Sequence, residues 1–323
     1  MHKVTRITIN LLIFAVVIGF AGYIINRLVT GESFFGDNLT NGSQEGISPY
    51  KRINAIKTKS EIIRFDLSDE MVFIATKQAV MIHNKDGSLV QQITTNREIR
   101  DIKVEDNRIY LLYPAEIEVY AITGEKITGW KASRNNSDYC SMTLSSEFIF
   151  VTDVGNKQIC KFSKEGEFMA VILSPSGFII PSFAFDIINI GDTIYCSNSG
   201  RHRIEVYSLV GEYIRSFGTA GSESGHFAGC CNPVYLAATS NGDILTSEKG
   251  NPRISCFDRD GRFKAILLGS KALGRGTTAY SVKAIDDKLY VAGKKTLSEY
   301  VYDPDLAAQS ACNGCPSDCP LRK

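Results

Sequence analysis

The sequence predicts an all-β fold, a six-bladed β-propeller, with one N-terminal transmembrane helix and a short Cys-rich C-terminal tail. Short runs rich in Ile, Val, Phe and Tyr recur between Gly, Asn and Asp turns, as in a chain of short strands. A nineteen-residue run at 7–25 carries no charge, and three cysteines lie close together near the C-terminus. We therefore divide the chain into a cytoplasmic N-terminus (1–6), an anchor (7–25), a flexible linker (26–50), a propeller (51–305) and a tail (306–323).

The uncharged run at 7–25 is long enough to cross a bilayer of about 30 Å as a helix. Lys3 and Arg6 precede it and Arg27 follows it, a bias that favours a cytoplasmic N-terminus. We therefore expect a single-pass membrane protein whose propeller lies on the extracytoplasmic, periplasmic side. A cleaved signal peptide is the alternative, but its apolar region is usually about 7–15 residues and ends in an Ala-x-Ala-like site. The apolar run here is longer, and no clear Ala-x-Ala follows it.

Six segments of the body share one order of turns and β runs, and this repeat predicts the blades. The segments are 70–93, 107–130, 147–172, 192–217, 243–267 and a shorter 287–303. In the first five, a glycine marks the turn before the last β run: Gly87, Gly124, Gly166, Gly211 and Gly261. These glycines are 37, 42, 45 and 50 residues apart, within the range of propeller blades.

A further β run before each segment supplies the innermost strand of that blade. These runs are 62–67, 99–104, 141–144, 184–188, 234–238 and 281–285. A four-stranded sheet with two apolar faces is covered only when it stacks radially on similar sheets. The sixth unit lacks an outer strand, and residues 52–57 are predicted to supply it. That pairing closes the ring and removes the free sheet edges at the seam.

Units three to five carry related pentapeptides after their second strands. They read GNKQI at 155–159, GRHRI at 200–204 and GNPRI at 250–254. They resemble the Gly-Asn-x-Arg-Ile/Val motif of NHL repeats, and the Gly-rich segment 218–233 resembles the connection that precedes an inner strand in that family. The resemblance covers about 51–303, although Gln158 replaces the motif's Arg and Arg201 replaces its Asn. It implies a six-bladed propeller in which Arg203 and Arg253 act in packing and turns.

The charge balance argues against a nucleic-acid partner. The 36 Lys and Arg and 35 Asp and Glu leave a net charge of +1, so there is no bulk positive field to gather nucleic acid. The family resemblance also implies an enzyme class to weigh, amidating-lyase relatives that hold zinc through several histidines. After the anchor only His83, His202 and His226 are present, and their spacing predicts no clustered ligand set.

Lactonase-like propellers form a second enzyme class, in which Glu, Asn and Asp hold a divalent cation in the central channel. Asp153, Asn198 and Glu248 occupy equivalent places after the second strands of units three to five. They are therefore candidates to converge near one mouth of the channel. Loop capping and turn bonding are the alternative role for these side chains.

The nine cysteines fall into groups of different expected roles. Cys160, Cys196 and Cys256 lie in predicted strands and are expected to be buried. The segment CNGCPSDCP (312–320) has no apolar pattern that would bury its three cysteines. Its C-x2-C-x3-C-P spacing is similar to part of a bacterial ferredoxin motif but lacks the further cysteine.

Cys312, Cys315 and Cys319 are therefore candidate ligands of an iron–sulfur cluster or zinc, with Cys230 and Cys231 as candidate donors of the missing thiolate. Seven residues from 305 to 312, at most about 3.5 Å each, would reach roughly 25 Å, enough to arrive at one propeller face. Disulfides remain the alternative outside the cytoplasm. For Cys230 and Cys231 this includes a strained ring disulfide between the two neighbours.

The sequence thus predicts a membrane-anchored, non-catalytic propeller that acts as a binding or assembly module in the cell envelope. Its partners are the membrane, through the N-terminal helix, and a protein of the envelope, with a redox or metal link through the cysteine tail. The alternative is a lactonase-like or lyase-like propeller hydrolase with a divalent metal in the channel.

Overall fold

The computed structural model describes residues 48–274 and 279–311, and within them the fold is a β-propeller of six four-stranded antiparallel sheets. In blades 1 to 5 the four strands follow one another in sequence from the innermost outward. The strands of blades 1 to 3 are β2 (Ile62–Leu67), β3 (Met71–Thr76), β4 (Ala79–Asn84), β5 (Leu89–Thr94), β6 (Asp101–Glu105), β7 (Arg108–Tyr113), β8 (Glu116–Ala121), β9 (Lys126–Lys131), β10 (Tyr139–Leu144), β11 (Phe148–Asp153), β12 (Gln158–Ser163) and β13 (Phe168–Ile172).

Blades 4 to 6 repeat this order and close the ring. Their strands are β14 (Ile187–Ile190), β15 (Thr193–Asn198), β16 (Arg203–Ser208), β17 (Tyr213–Phe217), β18 (Tyr235–Ala238), β19 (Ile244–Glu248), β20 (Arg253–Phe257), β21 (Phe263–Leu268), β22 (Ser281–Ile285), β23 (Lys288–Ala292), β24 (Thr296–Tyr302) and, from the N-terminal side, β1 (Tyr50–Lys57). Two helices lie among the described residues, α1 (Ser270–Leu273) and α2 (Pro304–Ala311).

The predicted closure of the ring is confirmed. β1 pairs antiparallel with β24, from Tyr50 opposite Tyr302 to Lys57 opposite Thr296. The strand begins two residues before the predicted 52–57, because Tyr50 is only 4% exposed and packs edge to face on Tyr302 with ring centroids 5.9 Å apart. The first and last strands of the propeller therefore share one sheet.

Six apolar clusters fill the spaces between neighbouring blades of the described chain. The cluster between blades 1 and 2, for example, joins Phe73 and Val80 to Ile102 and Leu111. Because each sheet is covered on both faces, the second and third strands are buried almost continuously and do not alternate. This is the radial stacking that the two apolar faces of each sheet predicted.

The predicted hairpin glycines lie in the turns between third and fourth strands. All five have φ between 87° and 96°, a left-handed conformation that glycine adopts without a steric penalty. Each turn also packs against the outer strand of the preceding blade, as Gly166 does against Trp130 and Gly261 against Phe217. A side chain at Gly166 or Gly261 would overlap that neighbouring ring.

The two faces of the ring carry different kinds of connection, because adjacent strands in each blade are antiparallel. The turns from first to second and from third to fourth strand form one face, here called the hairpin face. The connections from second to third strand and from blade to blade form the other, here called the loop face. β1 begins and β24 ends on the hairpin face, since their other ends, Lys57 and Thr296, adjoin the Lys294–Lys295 connection.

The predicted anchor, residues 7–25, and the tail cysteines lie outside the described residues. No helix in the described ranges is long and apolar enough to span a membrane.

Candidate functional site

Side chains from five blades meet on the propeller axis and close the central channel. Arg64 Nη2 of blade 1 donates to Asp186 Oδ1 of blade 4 (2.7 Å), and Arg64 Nε lies 3.7 Å from Asp101 Oδ1 of blade 2. Ser141 Oγ of blade 3 donates to Asp101 Oδ2 (3.0 Å) and to Asp186. The Tyr235 ring of blade 5 covers the Arg64 guanidinium, 4.2 Å from its carbon to the ring centroid. We call these residues the channel plug.

The ionised groups of the channel plug stabilise one another. Burial alone would lower the pKa of Arg64, but the Asp186 and Asp101 carboxylates outweigh it and raise that pKa. Burial alone would raise the pKa of Asp101, but the Lys103 and Arg64 charges outweigh it and lower that pKa. The plug is thus a charged cluster held inside the ring.

Three aspartates of the inner strands also tie neighbouring blades together. Asp66 accepts from Val104 N of blade 2 (2.7 Å), Asp101 from Met142 N of blade 3 (2.8 Å) and Asp186 from Leu236 N of blade 5 (2.7 Å). Hydrogen bonds from backbone amides to carboxylates are stronger than those between neutral groups. These aspartates therefore have a structural role at the blade interfaces.

A cavity of about 270 Å³ opens on the hairpin side of the channel plug. Its acidic residues are paired with cations: Asp66 with Lys283, Asp101 with Lys103, and Glu105 with Lys164. A divalent cation prefers several free oxygen ligands, and it would have to displace these lysines and Arg64. The channel residues therefore do not fit the metal that a lactonase-like enzyme requires.

The three predicted channel ligands each bond to a connection of the loop face. Asp153 accepts from Asp138 N (3.0 Å), Asn198 accepts from Ile179 N (3.0 Å), and Glu248 accepts from Ala228 N (3.3 Å). All three are buried and fix the connection that leads into their blade. Over 48–274 and 279–307, where side chains are described, no three His, Cys, Asp or Glu residues form a group that could hold a metal.

The structural role predicted for Arg203 and Arg253 is confirmed. Arg203 Nε donates to Glu205 Oε1 (2.9 Å), and its guanidinium reaches Ser176 of the connection between blades 3 and 4. Arg253 pairs with Glu248 and donates to His226 O of the next connection. The motif residue therefore fastens a blade-to-blade connection onto its blade. At the corresponding place in blade 3, Gln158 Nε2 donates to Asp153 (3.3 Å).

The cysteines separate as predicted, with one addition. Cys160, Cys196 and Cys256 are fully buried, which confirms their packing role. Cys140, whose role was not predicted, lies beside the channel plug, and its Sγ donates to Phe183 O (3.0 Å). Burial raises the pKa of the Cys140 thiol to about 12, so this thiol stays protonated at neutral pH.

Cys230 and Cys231 lie on the loop face as free thiols, with their sulfur atoms 3.2 Å apart. Helix α2 leaves from the hairpin face, where Asp303 N donates to Pro49 O (2.8 Å). Each residue of a helix advances the chain by about 1.5 Å, whereas an extended residue advances it by up to about 3.5 Å. Residues 305–311 therefore span roughly 10 Å rather than the roughly 25 Å expected of an extended chain. The tail therefore sets out from the face opposite Cys230 and Cys231.

The connection between blades 3 and 4 presents an apolar surface on the loop face. Leu173, Ile179 and Phe183 are 64%, 46% and 45% exposed. Ser182 and Phe183 both have left-handed φ values, 55° and 56°, an uncommon conformation for residues other than glycine and one found at binding sites. The Arg100 guanidinium lies 5.3 Å from the Phe183 ring centroid. The exposed ring is therefore held in place.

The exposed charges of the described chain are separated between the two faces. The turns of the hairpin face expose mainly acidic side chains. The exposed cations on this face are Arg259 and Arg262 in the turns, with Lys51, Arg52, Arg108 and Lys126 at the adjoining strand ends. The acidic residues are Asp69, Glu70, Asp86, Asp106, Glu125, Glu147, Glu165, Glu167, Asp192, Glu212, Asp260, Asp286 and Asp287. Assigning the strands from the sequence, and then marking the charged residues in each turn, would have revealed this pattern.

The connections of the loop face expose mainly basic side chains. These are Lys59, Lys77, Arg134, Lys157, Lys271, Lys294 and Lys295, with Lys57 and Lys131 at the adjoining strand ends. Glu61 and Glu223 are the exposed acidic residues in the described part of these connections. The net charge of +1 therefore conceals a basic face opposite an acidic one.

Comparison with solved structures identifies a similar fold in proteins of low sequence identity. Virginiamycin B lyase from Staphylococcus aureus superposes with a TM-score of 0.54 at 11% identity, covering 78% of this chain and 99% of the lyase. A protein of unknown function from Bacteroides thetaiotaomicron gives 0.56 at 13% identity, covering 81% and 73%. The WD40 propeller domain of Doa1 gives 0.56 at 10% identity, covering 80% and 98%. At these identities the similarity establishes the fold alone.

Comparison of sequences adds a partial match to a curated protein. Over 117 residues, 35% of this chain, the sequence is 27% identical to the Drosophila melanogaster protein brain tumor. The match covers 10% of the length of that protein. No family profile matches the sequence.

Proposed function

We propose that this chain is a membrane-anchored binding module of the cell envelope, whose propeller lies outside the cytoplasm and whose loop face binds an acidic segment of a protein partner. The observation that carries the proposal is the separation of charge between the faces. A basic face attracts an acidic partner and orients it, while the acidic face repels it. The closed channel supports the same conclusion, because it leaves the faces as the larger surfaces open to a partner.

We also infer that the propeller is of the NHL type. The motif arginines of blades 4 and 5 fasten the blade-to-blade connections, and the partial sequence match is to an NHL-repeat protein. This inference concerns the repeat family and leaves the ligand open.

A protein partner fits the loop face better than nucleic acid does. Leu173, Ile179 and Phe183 add an apolar surface to the cations, and protein interfaces combine an apolar centre with a charged rim. The predicted periplasmic location also separates the propeller from cytoplasmic nucleic acid. The basic face nevertheless makes nucleic acid the competing outcome that an experiment must distinguish.

A photo-crosslinking amino acid at position 183 of the full-length chain should capture one envelope protein in intact spheroplasts. The same amino acid at Phe168, near a hairpin-face turn, should capture far less. Adding Arg134→Glu and Lys157→Glu should lower the yield from position 183 at least severalfold, because these changes reverse two exposed charges of the loop face. Arg259→Glu, on the hairpin face, is the matched control and should leave the yield unchanged.

Protease added to the same spheroplasts should digest the propeller and its adduct, leaving a short fragment protected by the membrane. Protection of the whole chain would place the propeller on the cytoplasmic side of the membrane and contradict the proposed orientation. A mature N-terminus near residue 25 would show that the run at 7–25 is a signal peptide. A nucleic-acid adduct, or equal yields from positions 183 and 168, would contradict the proposed partner and surface.

We further propose that Cys312, Cys315 and Cys319 bind zinc or an iron–sulfur cluster, with disulfide bonding as the alternative. Three closely spaced thiols in a polar segment are prone to oxidation unless they are coordinated or paired. Protein purified without oxygen should contain metal that Cys315→Ser removes and Cys160→Ser retains. A variant carrying Cys230→Ser and Cys231→Ser decides whether the loop supplies the fourth ligand. Metal-free protein with all three tail thiols open to alkylation would contradict both forms of the proposal.

A lyase-like or lactonase-like hydrolase is the second candidate function. Its support is the fold shared with a lyase, and a catalytically inactive His-to-Ala variant of that lyase has been solved with quinupristin. The paired carboxylates of the channel do not favour a channel metal here, so the binding module is the function we propose.

A further inference from the structure

The neighbouring thiols of Cys230 and Cys231 differ in their access to solvent. They end the Gly-rich connection that leads into β18, and their sulfur atoms are 3.2 Å apart. Cys230 is exposed, whereas Cys231 is 2% exposed. An external sulfur compound can therefore reach Cys230, while Cys231 is shielded.

A cation lies near the buried thiol. The Lys249 ammonium and the Ser182 hydroxyl are both close to the Cys231 thiol. Asn232 positions Lys249, since Asn232 Oδ1 accepts from Lys249 N (2.9 Å) and Asn232 Nδ2 donates to Lys249 O (3.0 Å). These two bonds hold the Lys249 backbone against the end of the connection.

Access to solvent distinguishes the two sulfur atoms chemically. An external thiolate can approach the exposed Cys230 Sγ, whereas the surroundings of Cys231 Sγ shield it. In thiol–disulfide exchange the sulfur that is not attacked leaves as a thiolate. Cys230 is therefore the sulfur that is attacked, and Cys231 is the sulfur that leaves.

We propose that Cys230 and Cys231 form a dithiol–disulfide couple that exchanges electrons with external thiols. In the oxidised form, an external thiolate attacks Cys230 Sγ, the Cys230–Cys231 bond breaks, and its electron pair leaves on Cys231 Sγ beside Lys249. A second external thiolate attacks the external sulfur of this mixed disulfide and releases Cys230 as a thiolate. Both cysteines take up a proton, so two thiols become one disulfide while the protein disulfide becomes two thiols.

The couple stands on the geometry of the pair and does not require the loop face to bind a partner. Lys249 acts in it as a positioning residue that stabilises the leaving thiolate.

The test uses the full-length chain and mixtures of reduced and oxidised glutathione. Trypsin releases peptide 216–249, in which Cys230 and Cys231 are the only cysteines. In oxidising mixtures this peptide should lose two hydrogens and carry no glutathione. Cys231→Ser should trap a glutathione adduct on Cys230, whereas Cys230→Ser should give little adduct on the shielded Cys231.

Lys249→Met should slow reduction of the protein disulfide by glutathione roughly three- to tenfold, because the leaving thiolate loses its cation, and Lys249→Arg, which keeps the charge, should restore the rate. Lys294→Met, a change at an exposed loop-face lysine, is the matched control, and equal melting temperatures exclude a folding defect. The proposal fails if wild-type Cys230 keeps a stable glutathione adduct, if peptide 216–249 becomes linked to the tail, or if Lys249→Met leaves the rate unchanged.

Discussion

Removal of residues 48–57 should lower the melting temperature of the protein by more than about 10 °C. The deletion takes away β1 and leaves the outer edge of β24 without a partner strand. Loss of the buried Tyr50 side chain costs about 1.5–3 kcal/mol, and each lost ladder hydrogen bond costs about 1 kcal/mol. A total of about 5 kcal/mol or more corresponds to that shift in a domain of this size.

The matched control is removal of residues 1–47, which leaves all twenty-four described strands in place and should not change the melting of the propeller. Tyr50→Ala should give an intermediate loss, because it removes the contact with Tyr302 but keeps the strand pairing. An unchanged melting temperature after removal of 48–57 would refute the closure of the ring by β1.

Arg64→Met should destabilise the protein by about 3–5 kcal/mol, the typical cost of leaving a buried partner charge unpaired. The Arg64 side chain is 10% exposed, and those of Asp186 and Asp101 are 4% and 0% exposed, so solvent screens the plug weakly. Denaturant unfolding measures the loss. Arg262→Met removes exposed pairs with Asp258 and Asp260 and should change stability by at most about 0.5 kcal/mol.

The loss of stability caused by Arg64→Met should also depend on pH. In the folded wild type the pKa of Asp101 is lowered, so its contribution is present above its unfolded pKa of about 4 and is lost as the pH falls through the folded pKa. Arg64→Met removes part of that contribution. The stability difference between wild type and variant should therefore be largest near neutral pH and shrink as the pH falls below about 4. A constant difference across this range would mean that Arg64 acts through packing alone.

The sequence predicted the propeller well because each blade is a local pattern. Residues 62–67 and 281–285 were assigned as inner strands, and β2 and β22 have those bounds. Other strand boundaries in the structure differ from the predicted ones by a few residues. The inner strand of blade 4 begins at Ile187 rather than 184. The chain makes a turn with left-handed φ values at Ser182 and Phe183, so it joins the sheet only after that turn.

The candidate site was predicted less well, because equivalent positions in a repeat need not point at one another. Asp153, Asn198 and Glu248 share a position in their blades, but each bonds to the connection that leads into its own blade. The residues that do meet on the axis, Arg64 and Asp186, are 122 positions apart. Their pairing depends on the ring closing, and no local spacing encodes it.

The sequence by itself determined the number of blades, the turns that need glycine, the strand that closes the ring and the burial of Cys160, Cys196 and Cys256. These follow from hydrophobic periodicity and backbone stereochemistry, which act over a few residues. The separation of a chain of net charge +1 into a basic and an acidic face follows from the strand order and the charges of each turn. Only the tertiary structure decided that Arg64 closes the channel and that Lys249 lies near Cys231. Electrostatic interactions depend on distances in space, and the closure of six similar sheets into one ring sets those distances.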